Sequence, residues 1–219
     1  VKEIVREEGI DLVQCENVWT VPPLAAVIDD IHKPIVVTIH DVWSDRFAQL
    51  YGYQKVAGFI SRGLLRSIRG EEEMALRMCE VCVCVSEEDS RQLVKNGADP
   101  ARMKVIPNGV DTFKIRPVGK VRWLARELKI GDEDVVLFFP GSEMFQNKKA
   151  AEDIIKDILP KLDNRFKMVF AGTICHYLAK LNLLERVITV GYLENLLSLY
   201  GLADIVVLPI TVGSGTKLK

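Results

Sequence analysis

No apolar run in the 219 residues approaches the roughly 20 that a helix needs to span a bilayer. No segment therefore reads as a transmembrane helix. Neither sign of charge is in excess. The 29 basic residues face 30 acidic ones, and a net charge of −1 gives no indication of bulk nucleic-acid binding. The first residues, Val1-Lys-Glu-Ile-Val-Arg-Glu-Glu8, are a charged amphipathic stretch and not a signal peptide. An initiating Met is lacking too, so truncation or processing is expected at that end. The cysteine count, five, is odd, and without a secretion signal it favours a reducing cytosol. A metal reading of Cys79-x-x-Cys82-x-Cys84 would need a fourth ligand and an open loop. Cys82 and Cys84 instead fall inside Val81-Cys-Val-Cys-Val85, a run that reads as a buried strand, so they are assigned to the core and no metal is expected. No short-period repeat is evident.

What remains is an ordinary globular composition, 48% hydrophobic and 27% charged, enough to bury a sizeable core. Strand and helix patterns alternate nearly throughout, which argues an α/β fold with parallel sheets. Strands are expected over 11–15, 35–40, 81–85 and 104–106. Helices are expected over 20–32, opened by Pro22 and Pro23, and over 64–79. Ser86, with Asp89 three residues on, is a good N-cap for a helix that ends near Asn96-Gly97. From 112 to 134 the pattern loosens around one helix at 121–128, as at a domain junction. A second α/β series follows, with strands at 135–139, 166–171, 187–190 and 205–208 and helices at 150–162 and 196–202.

The last stretch is Asp204-Ile-Val-Val-Leu-Pro-Ile-Thr-Val-Gly-Ser-Gly-Thr-Lys-Leu-Lys219. It reads as a buried parallel strand, a loop with Gly213 and Gly215, and a helix that Thr216 would cap. Strand, glycine loop and helix start together present backbone N–H groups to a phosphate, and the helix dipole adds to the attraction. The chain ends within a turn of that helix, so a cut inside the site is expected.

Val105-Ile-Pro-Asn-Gly-Val-Asp111 resembles the segment that ends the N-terminal domain of retaining glycosyltransferases of the GT-B fold. The closest match is the large nucleotide-sugar-dependent group 1, family four type, which includes sucrose-phosphate synthases and bacterial mannosyltransferases. Asp11-Leu-Val-Gln14, Thr38-Ile-His-Asp41, Val83-Cys-Val-Ser86, Phe170-Ala-Gly172, Val190-Gly-Tyr192, Ala203-Asp-Ile-Val-Val-Leu-Pro209 and Gly213-Ser-Gly-Thr-Lys-Leu-Lys219 follow in that family's order. The resemblance implies two Rossmann-like domains, both incomplete in this chain. Residues 1–112 would be the later part of the acceptor-side domain, 113–134 a linker, and 135–219 the first part of the nucleotide-sugar domain. A strand with a glycine-rich loop would precede Val1. A ribose-binding glutamate would lie beyond Lys219, so the 219 residues alone are expected to show no turnover.

Such a reaction must neutralise a departing nucleoside diphosphate and orient an acceptor hydroxyl, and this fold does so without an obligatory metal or other cofactor. Gly213, Ser214, Gly215 and Thr216 would offer N–H groups to the donor's phosphate and sugar; Lys217 either faces the donor or is solvated. The family commonly places an arginine and a lysine after the strand at 135–139. Here Ser142 stands where the arginine is common, and Asn147 or Lys148 is left to substitute, unless Lys148 and Lys149 are a surface pair. A glutamate that often precedes the glycine loop is replaced by Val212. His40, ending an apolar strand, stands where the family has a histidine near the donor sugar and leaving group, and is the catalytic candidate: an imidazole there can donate to an oxygen that gains charge, unless it only hydrogen-bonds the strand end. Gly191 and Tyr192 resemble the base-binding segment, with a core role for the Tyr192 ring as the alternative. Glu16 and Asn17 end a strand on the acceptor side and either touch an acceptor hydroxyl or are a polar pair at a helix start, while Ser86 is more simply an N-cap.

The expected activity is hexosyl transfer from a nucleotide diphosphate sugar to a sugar, lipid or polysaccharide acceptor, with retention. A nucleotide-sugar epimerase on the same fold and a non-catalytic nucleotide-sugar-binding protein are the alternatives. Cytoplasmic placement is expected. Peripheral membrane contact is one reading of Arg62, Arg66 and Arg69; a solvated face balanced by Glu71, Glu72 and Glu73 is the other.

Overall fold

The protein is described from a computed structural model that covers residues 1–27, 32–54 and 59–211. It forms two units, Val1–Gly109 and Val110–Thr211. The first starts with helix α1 (Lys2–Glu7) and strand β1 (Val13–Glu16). A 3-10 turn (Val18–Thr20) leads into α2 (Val21–Ala25), then β2 (Ile35–Ile39), α3 (Trp43–Gln54) and α4 (Phe59–Met78). It closes with β3 (Val81–Cys84), α5 (Glu87–Lys95) and β4 (Met103–Val105). The strands pair in parallel in the order β1-β2-β3-β4.

The second unit holds α6 (Arg122–Glu127), β5 (Val135–Pro140), α7 (Phe145–Asp153), β6 (Phe166–Ala171), α8 (Ile174–Leu178), β7 (Val187–Thr189), α9 (Leu197–Leu202) and β8 (Ile205–Val206). Its parallel order is β7-β6-β5-β8. β5 and β6 are buried on both faces, as parallel strands are. Leu137, Phe139, Met168 and Phe170 enter one core with Ala150, Ile154 and Ile174. Val136, Phe138, Val169 and Ala171 enter the other with Leu199 and Leu202. Successive residues point to opposite faces, so one apolar run feeds two cores.

In the first unit Val37, Ile39, Cys82 and Cys84 are buried beside Cys15 and Cys79, as core cysteines. Ser86 caps α5 by accepting the Asp89 N–H, and Asn96 follows the helix as its C-cap, with Gly97 in the left-handed region.

Several elements depart from the sequence reading. In place of one helix over 20–32 there are a 3-10 turn (Val18–Thr20) and a five-residue helix (Val21–Ala25), and 28–31 lie outside the described residues. The helix α3 falls between the expected strand at 35–40 and the expected helix at 64–79, where no element is expected from the sequence. α7 begins at Phe145, ahead of 150, then tightens and loosens through a π turn (Ile154–Ile158) and a 3-10 turn (Leu159–Lys161). The last strand is not buried. β8 spans Ile205–Val206, with those residues 49% and 38% exposed, and among the described residues it pairs with β5.

Glu72 is not part of a solvated acidic face. It is buried on α4, and its carboxylate accepts the N–H of Ser44 at the start of α3 at 2.9 Å. Burial pushes its carboxyl up from the ordinary range, opposed by the Ser44 hydrogen bonds. A raised folded-state value means that Glu72 imposes no cost below the unfolded pKa, while stability is lost as the pH rises through the folded value. Glu72→Gln keeps an acceptor and removes the charge. Urea titration at pH 5 and pH 8 is expected to show the variant gaining on the parent at the higher pH; an equal difference at both would refute the buried-carboxylate account.

Candidate functional site at the carboxyl edges of the sheets

Parallel strands put their carboxyl ends on one edge, where α/β sheets bind ligands. In the first unit Glu16 ends β1 opposite Thr38, and His40 lies just beyond β2. That register brings the His40 Nε2 to 2.8 Å from the Glu16 carboxylate. The carboxylate can only accept, so Nε2–H donates, leaving Nδ1 to face a ligand as acceptor in the neutral ring or donor in the imidazolium. The other Glu16 oxygen accepts from Gln14 at 2.6 Å and Thr38 at 3.4 Å. The His40 hydrogen bond, against some burial and helped by Gln14, holds the Glu16 carboxyl below its ordinary range. Both side chains are about half exposed, 43% for His40 and 53% for Glu16, so the pair is open to a ligand. The two residues that sequence reasoning placed in different roles are therefore one hydrogen-bonded unit.

Asn17 follows with φ of 71°, a left-handed backbone unusual outside glycine. Its carbonyl accepts from the Thr20 hydroxyl at 2.8 Å. Trp19 and Trp43, each three residues past the paired acid and histidine, meet edge on with centroids 4.6 Å apart. Arg46 lies 4.7 Å from the Trp43 ring and pairs with Asp41 at 2.8 Å. Sequence reasoning named neither tryptophan; the available signal was a large aromatic just beyond the carboxyl end of two neighbouring strands. Ser86 is taken up by its cap, donating to Asp89 as well.

In the second unit, glycines end three adjacent strands. The Gly141 N–H donates to Ala171 and the Gly172 N–H to the Gly191 carbonyl at 2.7 Å. Gly172 has φ of 97°, and a Cβ there would sit 2.3 Å from the Gly141 oxygen. Gly191 also lies in the left-handed region, at 75°, but a Cβ would meet nothing within 4 Å. The ring of Tyr192 beside it is 70% exposed, which removes the core alternative and leaves it available to a ligand.

Asn147 is 2% exposed, and its amide donates to the Ser142 carbonyl and hydroxyl at 2.9 and 3.0 Å. It braces the loop that follows β5. Lys148 projects from the first turn of α7 to 3.0 Å from Glu143 and 5.0 Å from the Tyr177 ring centroid. Lys148 holds the Glu143 carboxyl below its ordinary range. Tyr177 in turn donates to Glu152, which pushes the phenol up to about 12. Lys149 pairs with Asp153. Gly213, Ser214, Gly215, Thr216 and Lys217 lie outside the described residues. Among the described residues no helix is long and apolar enough to cross a membrane.

The family model described as Glycosyltransferase Family 4 matches residues 1–114, and the one described as Glycosyl transferases group 1 matches residues 134–219. No curated protein sequence matches the chain. Among solved structures, HepE of Anabaena in complex with UDP-glucose is similar at a TM-score of 0.68 and 16% identity, over 93% of this chain and 54% of that one. Sucrose-phosphate synthase from Thermosynechococcus elongatus is similar at 0.75 and 15%, over 99% and 54%. The catalytic domain of starch synthase IV from Arabidopsis thaliana, bound to ADP and acarbose, is similar at 0.61 and 13%, over 96% and 54%. The chain thus spans about half the length of the structures it resembles. Their likeness shows the fold, an α/β arrangement with two Rossmann-like domains of the GT-B kind.

Two outcomes follow from this geometry. By NMR the Glu16 carboxyl should titrate below the ordinary glutamate range, near 4.3, and His40→Ala should move its midpoint upward; no movement would refute the pairing. Gly172→Ala should lose about 2–4 kcal/mol of stability, from left-handed strain plus the clash. Gly97→Ala, with open space around it, should lose about 1 kcal/mol. Equal losses in urea unfolding would show that the close approach is absent.

Proposed function

The chain belongs to the group 1 glycosyltransferases of the family four type, and on that premise we propose that it moves a hexosyl unit from a nucleotide diphosphate sugar to a sugar, lipid or polysaccharide acceptor with retention. The observation that carries the reading is the Glu16–His40 pair, held open at the carboxyl edge of the first sheet. In the transfer, the bond from the anomeric carbon to the diphosphate oxygen breaks as the acceptor oxygen bonds to that carbon. The hydroxyl proton leaves with the diphosphate. Charge grows on the departing oxygen, and a positioned imidazole or cation stabilises it.

His40 is assigned that stabilising role through Nδ1, with Glu16 fixing the ring. Backbone N–H groups of Gly213, Ser214, Gly215 and Thr216, with Lys217 and Lys148, hold the donor's phosphates and sugar. Asn147 contributes by fixing the Ser142 loop. Gly191 and the exposed Tyr192 receive the base. Glu16 and Asn17 face the acceptor. The chemistry asks for no obligatory metal. HepE was solved with UDP-glucose, which supports a nucleotide-sugar donor here. The proposed setting is the cytoplasm, in cell-envelope polysaccharide synthesis. The exposed Arg62, Arg66 and Arg69 on α4 would rest on the inner face of the membrane.

The test is incubation of the protein carrying this chain with UDP-, GDP- and ADP-hexoses and disaccharide acceptors, with products read by proton NMR. An α-linked product from an α-linked donor is expected; a β-linked product would sink retention, and release of no nucleoside diphosphate from any donor would sink the transferase. His40→Ala is expected to lower kcat by about 10²–10³-fold, with donor affinity nearly unchanged.

A further inference from the structure

We propose that Trp19, with the Glu16 carboxylate, forms a pyranose-stacking subsite at the carboxyl edge of the first sheet. A pyranose has one face of C–H groups and a rim of hydroxyls. It is recognised by an exposed aromatic ring beside acceptors that take hydroxyl protons, a large apolar surface joined to a few convergent polar groups. The described residues supply both parts within four positions of sequence.

Trp19 is 38% exposed although Val18 before it is buried, so the 3-10 turn anchors the backbone through Val18 and leaves indole surface in solvent. The ring is not free to swing. Its contact with Trp43 at 4.6 Å fixes it, and Trp43 is held in turn by Arg46, which is tied to Asp41. An aromatic ring already immobilised loses little entropy when a sugar stacks on it. Glu16 lies at the other end of the same short connection and is about half exposed. A carboxylate has about four acceptor positions. His40, Gln14 and Thr38 bond to it, the last at a long 3.4 Å, so capacity remains on its solvent side.

A solvated acid alone would need no neighbouring fixed indole, and a core tryptophan would not be exposed. Their placement at and just beyond the carboxyl end of β1 is the argument for a carbohydrate. The inference rests on the transferase reading only for the identity of that sugar as the acceptor.

The experiment titrates the protein carrying this chain, with Trp123→Phe so that within the chain the emission comes from Trp19 and Trp43, against maltose, cellobiose and methyl α-D-glucopyranoside, with glycerol as a polyol control. A saturable change with at least one sugar and none with glycerol is expected. Trp19→Ala should weaken binding at least tenfold, Trp19→Phe by less than threefold, and Glu16→Gln by threefold or more. Circular dichroism checks that each variant is folded. No saturable change with any of these sugars, an equal change with glycerol, or unchanged binding in Trp19→Ala overturns the proposal. Release of nucleoside diphosphate in the presence of acceptor is measured separately. Its absence with every donor would defeat the transferase reading while leaving the sugar titration to decide this one.

Discussion

Leu137 and Phe139 enter one core and Val136 and Phe138 the other, so no face of β5 is left for polar chemistry. β6 repeats the pattern. A parallel sheet covered on both sides has one productive place for function, the edge where its strands end. The cost of moving the chemistry elsewhere is large. Replacing a fully buried phenylalanine by alanine typically loses about 3–5 kcal/mol, a sizeable share of a domain's net stability of about 5–15 kcal/mol. Both-sided burial therefore fixes where Gly141 and Gly172 must appear; β1, by contrast, alternates exposed Gln14 and Glu16 with buried Cys15.

In the first unit strand register explains why the cluster is precise while its members are exposed. Neither Glu16 nor His40 is held by packing. The ladder between β1 and β2 sets their separation, because Glu16 stands opposite Thr38 and His40 follows two residues later. A one-residue slip would turn the Glu16 side chain to the opposite face of the sheet. Burial of Cys15, Val37 and Ile39 resists that slip. Core residues of no chemical interest thus hold the geometry of the acid–histidine pair.

Most strand positions were legible because β-branched runs such as Ile35-Val-Val-Thr-Ile39 announce buried parallel strands. The Ser86 cap was legible because its chemistry is local. Elements that lacked a local signal were missed. α7 begins after Met144, which offers no side-chain cap, so nothing marked its start ahead of 150. α8 has five residues, too few for a period to show. The apolar run at 205–208 promised a buried strand, yet burial depends on what packs against it, and a composition cannot state that. Glu16 and His40 were each visible as a polar residue ending a strand. Their pairing was not, because it depends on register between segments 24 positions apart.

The loop after β5 shows the same limit in another form. Read as sequence, Asn147 and Lys148 were equal candidates to replace an arginine. The structure separates them by burial and partner. Asn147 spends its amide on Ser142 and is enclosed, whereas Lys148 keeps its charge near the surface, shared between Glu143 and the Tyr177 face. The Lys148–Glu143 pair is partly exposed and screened by solvent, and the Tyr177 face adds only a weak attraction. Hydrogen bonds to charged groups contribute about 1.5–3 kcal/mol each. In the proposed reaction a diphosphate, with two negative charges, therefore competes with Glu143 for this lysine at little cost. Asn147 has no such latitude, since moving its amide would strand the Ser142 carbonyl, and a lost partner at a buried polar group costs about 1–3 kcal/mol. On the proposed reading Lys148 is the group that would change partners when an anion arrives, while Asn147 keeps the loop in place through Ser142.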